Sequence, residues 1–282
     1  MALSVAAACG GSERVRPGRP VRAGDVEVGE VRPLSGFKLA GLWARTGLVS
    51  PVLGKGLAHL YFLEAYDPAR TPVVFVYGMT GHPEQFRALL GGLDRTKFQP
   101  WVFHYRSGDR LGLVADQLHR ALREASRGWG AREFVVVSHS MGGLITRQAV
   151  SLWAGRSQPR DAFALPCFAT IASPLGGMEG AESGAAAPVG VPAWKDLAPS
   201  SEFVHGLLGV PLPAGVQYFF AAATGTDGAT DGVVPVVSQE REAALAEATE
   251  RHRYPRTHVE VLSDGQLAAD LHAFLGRCVA AN

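Results

Sequence analysis

The sequence predicts an α/β chain: a doubly wound, mostly parallel sheet with a cap segment over one end. Three observations lead there. Continuous apolar runs at Thr71–Gly78 and Glu133–Ser138 read as strands buried on both faces. Segments of helical spacing alternate with such runs, as in Leu111–Arg127, where Leu111, Val114, Leu118 and Leu122 fall on one face. And from Glu133 to Val150 a strand, a sharp turn with Ser140 at its apex and an amphipathic helix follow without a gap.

Taken in order, residues 10–33 are Gly, Arg, Pro, Glu and Val without period and read as a tether, so the folded domain is expected over 34–282. Phe37–Tyr66 reads as a helix leading into an edge strand. A strand follows at Thr71–Gly78, helical spacing at Pro83–Leu93, a strand at Phe98–Tyr105 and the helix at Leu111–Arg127. The turn strand 133–138 and helix 142–154 come next. Cys167–Ala172, Val216–Ala223 and His258–Leu262 are the remaining expected strands, and Gln266–Val279 the closing helix. Leu175–Pro213, rich in Gly, Ala and Pro, is too long for a plain connection and reads as a cap over a pocket.

Composition narrows the function. The 282 residues are 47% hydrophobic, enough for a large core, and 27 Lys and Arg against 26 Asp and Glu leave a net charge of +1. Neither a basic run nor an excess of positive charge points to nucleic acid. No run of eighteen apolar residues occurs, and no paired C-x-x-C spacing suggests a metal. The cysteines are Cys9, Cys167 and Cys278. Their spacing gives no disulfide framework, and Cys167 and Cys278 read as buried small hydrophobes.

Ser138-His-Ser-Met-Gly-Gly143 resembles the nucleophile elbow of α/β-hydrolase lipases and esterases, G-x-S-x-G, with Ser138 in place of the first glycine. Tyr77-Gly-Met-Thr-Gly81 resembles the same family's H-G-x-x-G oxyanion motif, with Tyr77 in place of histidine. The resemblance spans roughly residues 60 to 280 and orders the catalytic groups as serine, acid, histidine. It implies Ser140 as nucleophile and the backbone N–H groups of Met79 and Met141 as oxyanion donors. The acid falls in the loop after Val216–Ala223, where Asp231 precedes Gly-Val-Val-Pro and Asp227 is the reserve. For the base, His252 lies in a charged stretch and His272 within the closing helix, while His258 lies in Arg256-Thr-His-Val-Glu-Val-Leu-Ser-Asp264, which resembles the family's histidine segment and implies His258. Tyr77, Gly78, Ser173 and Leu175 are expected to wall the substrate pocket, His139 to pack beside the elbow and His104 to end a strand.

A serine is a weak nucleophile, and these partners supply the base and the group that orients it. The expected function is hydrolysis of carboxylic esters, of apolar acyl or lipid type, without metal or cofactor. Acyl transfer or thioester hydrolysis uses the same three residues, and a binding protein that kept only the pocket is the non-catalytic alternative. The partner is therefore a small-molecule or lipid ester, not nucleic acid. The N-terminus adds one more resemblance: the small apolar run before Cys9-Gly10-Gly11-Ser12 is similar to the end of a bacterial lipoprotein signal. It implies export with membrane anchoring through an acylated Cys9, the alternative being a cytoplasmic protein.

Overall fold

A computed structural model describes residues 19–37, 57–155, 163–185 and 191–280. Cys9 and the first part of the expected tether, the segment 38–56, and 186–190 of the expected cap lie outside the described residues.

Nine strands form one sheet: β1 (Val21–Ala23), β2 (Val26–Val31), β3 (Ala58–Phe62), β4 (Thr71–Val76), β5 (Phe98–His104), β6 (Glu133–His139), β7 (Ala164–Ile171), β8 (Gln217–Ala223) and β9 (Glu250–Tyr254). Their spatial order is β1-β2-β3-β5-β4-β6-β7-β8-β9. From β5 to β9 every neighbouring pair is parallel; β3 runs antiparallel to β5, and β1 antiparallel to β2. The apolar runs at the centre behave as their composition requires. Val73 to Val76 and Phe134 to Val137 are all essentially inaccessible, so both faces of β4 and β6 are covered.

The faces follow from the alternation of side chains along β7. Cys167 is joined there to Cys278 of the closing helix, Gly265–Ala280, while Thr170, of opposite parity, lies against Gly143 in the helix Met141–Gly155. The two helices therefore cover opposite faces. Leu111–Trp129 packs beside Met141–Gly155. Its buried Leu111, Val114, Leu118 and Leu122 form the stripe expected of it.

Four expectations need correction. Residues 21–31 belong to the sheet and not to a tether. Val26 and Val28 are buried on either side of Glu27, a period of two within a short stretch whose composition resembles a linker. Gly29, at φ 97°, gives way to the Trp129 ring, which a β-carbon would meet at 1.9 Å. These added strands make β3 an interior strand instead of an edge.

The last strand is Glu250–Tyr254, not His258–Leu262, which holds a short 3-10 helix at Glu260–Ser263. The charges of Glu250, Arg251 and Arg253 are tolerated because β9 is the sheet's edge. Helical structure after β4 starts as a 3-10 turn, Pro83–Phe86, and becomes α-helical only over Arg87–Gly91. Finally, Cys167 and Cys278 are buried as expected but bonded to each other across 111 residues of sequence. So wide a separation leaves no spacing signal in the chain.

The described part of the 175–213 segment carries short helices at Ala181–Ala185, Pro192–Leu197 and Glu202–Leu207. Several hydrogen bonds tie it to the body. The buried Asp196 carboxylate accepts from Leu111 N at 2.7 Å and from Arg110 Nε at 2.9 Å, capping the start of a body helix. Arg241 Nη1 donates to Val204 O at 2.8 Å. Gly176 N donates to Ser238 O at 2.8 Å.

Candidate active site

The site begins with backbone geometry. Ser140 follows β6 at φ 57°, a left-handed conformation that costs a non-glycine residue on the order of 1–3 kcal/mol. It is held there by its N–H, which donates to Ile171 O at 2.9 Å, and by Gly143 N–H on its own carbonyl at 2.9 Å. The turn is possible because its neighbours are small. A β-carbon on Gly142 would lie 2.4 Å from Val76 O, and one on Gly143 2.1 Å from Ser173 Oγ. Ser138 fits where glycine was expected because its hydroxyl turns to the next strand and donates to Ala169 O at 2.6 Å.

Three expected side chains converge. His258 Nε2 lies 2.9 Å from Ser140 Oγ, and His258 Nδ1 lies 2.7 Å from Asp231 Oδ2. With Nδ1–H directed at the carboxylate, Nε2 is free to accept the Ser140 proton. The main chain repeats this link, since His258 N–H donates to Asp231 O at 2.9 Å. Asp231 itself is 1% exposed. Its Oδ1 accepts from Val233 N at 2.8 Å and Val234 N at 2.6 Å, and its Oδ2 also receives Gln239 Nε2 at 3.1 Å. Burial alone would raise its pKa. The bonds from His258, Val234 and Val233 outweigh burial and keep the carboxyl below the usual carboxylate range. Asp227 is exposed and accepts from Ala229 N at 3.0 Å, the bond of a turn-former.

The loop after β4 approaches from the other side. Gly78 has no room for a side chain: a β-carbon would sit 2.9 Å from Ser140 Oγ. Met79 follows, and Thr80 N–H is anchored on the buried Ser107 Oγ at 3.1 Å. Among the described residues neither Met79 N–H nor Met141 N–H has a hydrogen-bond acceptor. Met141 opens its helix, so its N–H carries the partial positive charge of a helix start.

A cavity of about 700 Å3 opens onto Ser140. Its walls include Gly78, Met79, Met178, Trp194, Leu197 and Val234, with His258 at its base. Of the residues expected to wall it, Gly78 does so. Tyr77, Ser173 and Leu175 are each 1% exposed and stand behind the wall, whose surface there is Pro174. Tyr77 instead stacks on Tyr105, with ring centres 5.0 Å apart. Its hydroxyl donates to Tyr105 O at 3.1 Å, accepts from Tyr105 N at 3.1 Å and meets His104 Nδ1 at 2.7 Å. Burial pushes the Tyr77 hydroxyl pKa up and the His104 ring down to about 4.

His139 does more than pack. Its Nε2 donates to His258 O at 2.8 Å, and its Nδ1 faces Gln85 Nε2 at 3.1 Å. Burial, then the nearby His258, pushes its pKa down to about 3. Gln85 and Gln239 carried no signal in the sequence, since a lone glutamine in a helical stretch is most often solvent-facing. Cys167 has no part in the site. His272 stays on the closing helix, its Nε2 donating to Leu89 O at 2.9 Å. His252 lies on β9, stacked on Phe219.

No model of a known protein family matches the chain, and no curated protein sequence matches it. Solved structures do. The mature lipase BlEst2 of Bacillus licheniformis superposes at a TM-score of 0.56 with 17% identity, over 75% of this chain and 94% of that one. Lipase B of Aspergillus fumigatus gives 0.57 and 17% over 77% of this chain and 56% of the other. A structure from work on carboxylesterases of Nitrososphaera gargenis gives 0.53 and 12% over 80% and 97%. At these identities the likeness is one of fold.

Proposed function

The chain has the α/β-hydrolase fold, and from that premise we propose that it is a serine hydrolase of carboxylic esters with apolar acyl groups. The observation that carries the reading is the unbroken line from Ser140 Oγ to His258 Nε2 and from His258 Nδ1 to Asp231 Oδ2, at 2.9 and 2.7 Å, ending in the cavity.

In the first half-reaction Ser140 Oγ attacks the acyl carbon while its proton passes to His258 Nε2. Asp231 holds the ring in the tautomer that can accept this proton and stabilises the imidazolium that results. The tetrahedral oxyanion accepts from Met79 N–H and Met141 N–H, each such donor contributing roughly 3–4 kcal/mol to the transition state. The bond to the leaving alcohol then breaks and the alcohol takes the proton from His258, leaving an acyl-enzyme. Water repeats the sequence: His258 takes its proton, the carboxylic acid departs and Ser140 recovers its own. The apolar walls of Met178, Trp194, Leu197 and Val234 support an apolar acyl group, and a volume near 700 Å3 is within the usual range for ligand pockets.

We assign the protein to an oxidising compartment on the Cys167–Cys278 bond, since such bonds persist outside the reducing cytosol.

Covalent labelling tests the reading. A fluorophosphonate should modify the protein at Ser140, and Ser140→Ala should lose both labelling and turnover of p-nitrophenyl esters while keeping its melting temperature. Rates should rise with acyl length before falling. A protein that neither labels nor turns over any of these esters would be a binding module.

A further inference from the structure

Two side chains outside the three-residue line connect its parts. Gln85 lies in the turn after β4 and His139 immediately before Ser140. Bond directions between them are forced. The His258 carbonyl can only accept, so His139 Nε2 carries the proton of that 2.8 Å bond. A neutral His139 then has a bare Nδ1, which must accept, so Gln85 presents its amide NH2 at 3.1 Å. The other end of the same amide, Oε1, accepts from His82 N–H at 3.3 Å. The chain of bonds therefore runs from the loop that carries Met79, through Gln85 and His139, to the main chain of His258.

We infer that Gln85 and His139 are positioning residues, which set the His258 ring against Ser140 and the Met79 loop against both. The inference rests on the hydrolase reading above. His258 has three polar contacts through its main chain and Nδ1: its N–H and Nδ1 on Asp231 and its carbonyl on His139. Asp231 alone would let the residue pivot about one side. Because His139 and Ser140 are consecutive, one dipeptide addresses both the backbone of His258 and its Nε2. The spacing between nucleophile and base thus becomes a property of β6 itself. Its neighbours leave little freedom: His139 is 4% exposed and its ring centre is 4.7 Å from that of His258.

The test uses the full chain, p-nitrophenyl butyrate, a fluorophosphonate and thermal melting. Misplacing a reacting group by about 1 Å costs about 100-fold, so His139→Phe should lower kcat and the labelling rate by about that factor with KM little changed. His139→Gln, whose amide can still donate to the His258 carbonyl, should recover most of the loss. Gln85→Leu should lower kcat less, and the double variant with His139→Phe should be no slower than His139→Phe alone, because the two act through one chain of bonds. Wild-type kcat and labelling in a His139→Phe variant that melts normally would overturn the inference. So would a His139→Gln variant no better than His139→Phe, or losses that simply add. Should His139→Phe not fold, Gln85→Leu decides, and an unchanged kcat in that variant overturns it. Absence of labelling at Ser140 in the unmodified protein is a separate result: it overturns the hydrolase reading and the positioning role with it.

Discussion

The Ser138 hydroxyl donates to the Ala169 carbonyl at 2.6 Å, a bond from the strand before the turn to its neighbour in the sheet. A glycine at this position would close the same turn without it. Ser138→Gly should therefore leave ester turnover near wild type while lowering stability by about 1–2 kcal/mol, from one buried hydrogen bond and the added freedom of glycine in a strand. Urea unfolding alongside kcat measures both. A fall in kcat with no change in stability would mean that the hydroxyl serves the chemistry.

The two aspartates of the loop after β8 should separate cleanly. Asp231→Asn leaves the shape but presents an amide to His258 Nδ1, favouring the wrong tautomer, and kcat should fall by about 10⁴. Asp227→Asn keeps an acceptor for Ala229 N–H and should alter kcat hardly at all. Steady-state rates on one soluble ester are enough to tell; equal effects would point to loop disorder as the common cause.

The Cys167–Cys278 bond joins an interior strand to the last helix, across a sequence separation of 111. Closing a loop of about 100 residues is worth about 4.7 kcal/mol in the chain-entropy account, and removals in practice cost about 2–5 kcal/mol. The Cys167→Ala, Cys278→Ala double variant should show that loss in chemical unfolding. In the unreduced, denatured wild type no cysteine other than Cys9 should react with a thiol reagent. Three reactive thiols would mean that the bond does not form.

Acid should destabilise the fold before the carboxylates titrate. His104 and His139 are held near pKa 4 and 3 by burial, against about 6.5 in an unfolded chain. From pH 6.5 down to about 4 the unfolded state therefore binds more protons, by up to about two, and stability falls as pH falls. The depressed carboxyl of Asp231 adds a further loss only below the ordinary carboxylate range, as pH falls through its folded value. Urea midpoints at pH 7.5, 6 and 5 follow the first effect; a flat profile would mean that these rings are solvated and charged.

What could be read from the chain, and what could not, divides along physical lines. Buried central strands announce themselves by unbroken apolar runs, so β4 and β6 were legible, and Ser140, Asp231 and His258 could be named because the segments around them resemble family motifs in the order serine, acid, histidine. Strands at the margins of the sheet announce little. β9 is mostly charged, because it is an edge and much of its surface faces water, and β2, one strand in from the edge strand β1, has only two buried valines to mark it. The interiors of the site were equally silent. The roles of Gln85, Gln239 and His139 depend chiefly on bonds to residues distant in the chain, 54 and 119 positions for those of His139, and no local pattern records them. Tyr77 shows the converse: the motif located its loop, but the aromatic ring turned inward to Tyr105 and away from the cavity.

The anchoring of the 175–213 segment has a kinetic consequence. With Asp196 fastened to Leu111 and Arg110, and Arg241 to Val204, the described walls are held by bonds that need no ligand. The ordering entropy was met during folding, not at each encounter. On the proposed function, a ligand should then enter without first waiting for these walls to rearrange. Progress curves started with free protein on a soluble ester should therefore show no lag; a burst of released alcohol is compatible with acyl-enzyme formation, whereas a lag that shortens on preincubation with a product would mean that the walls rearrange first.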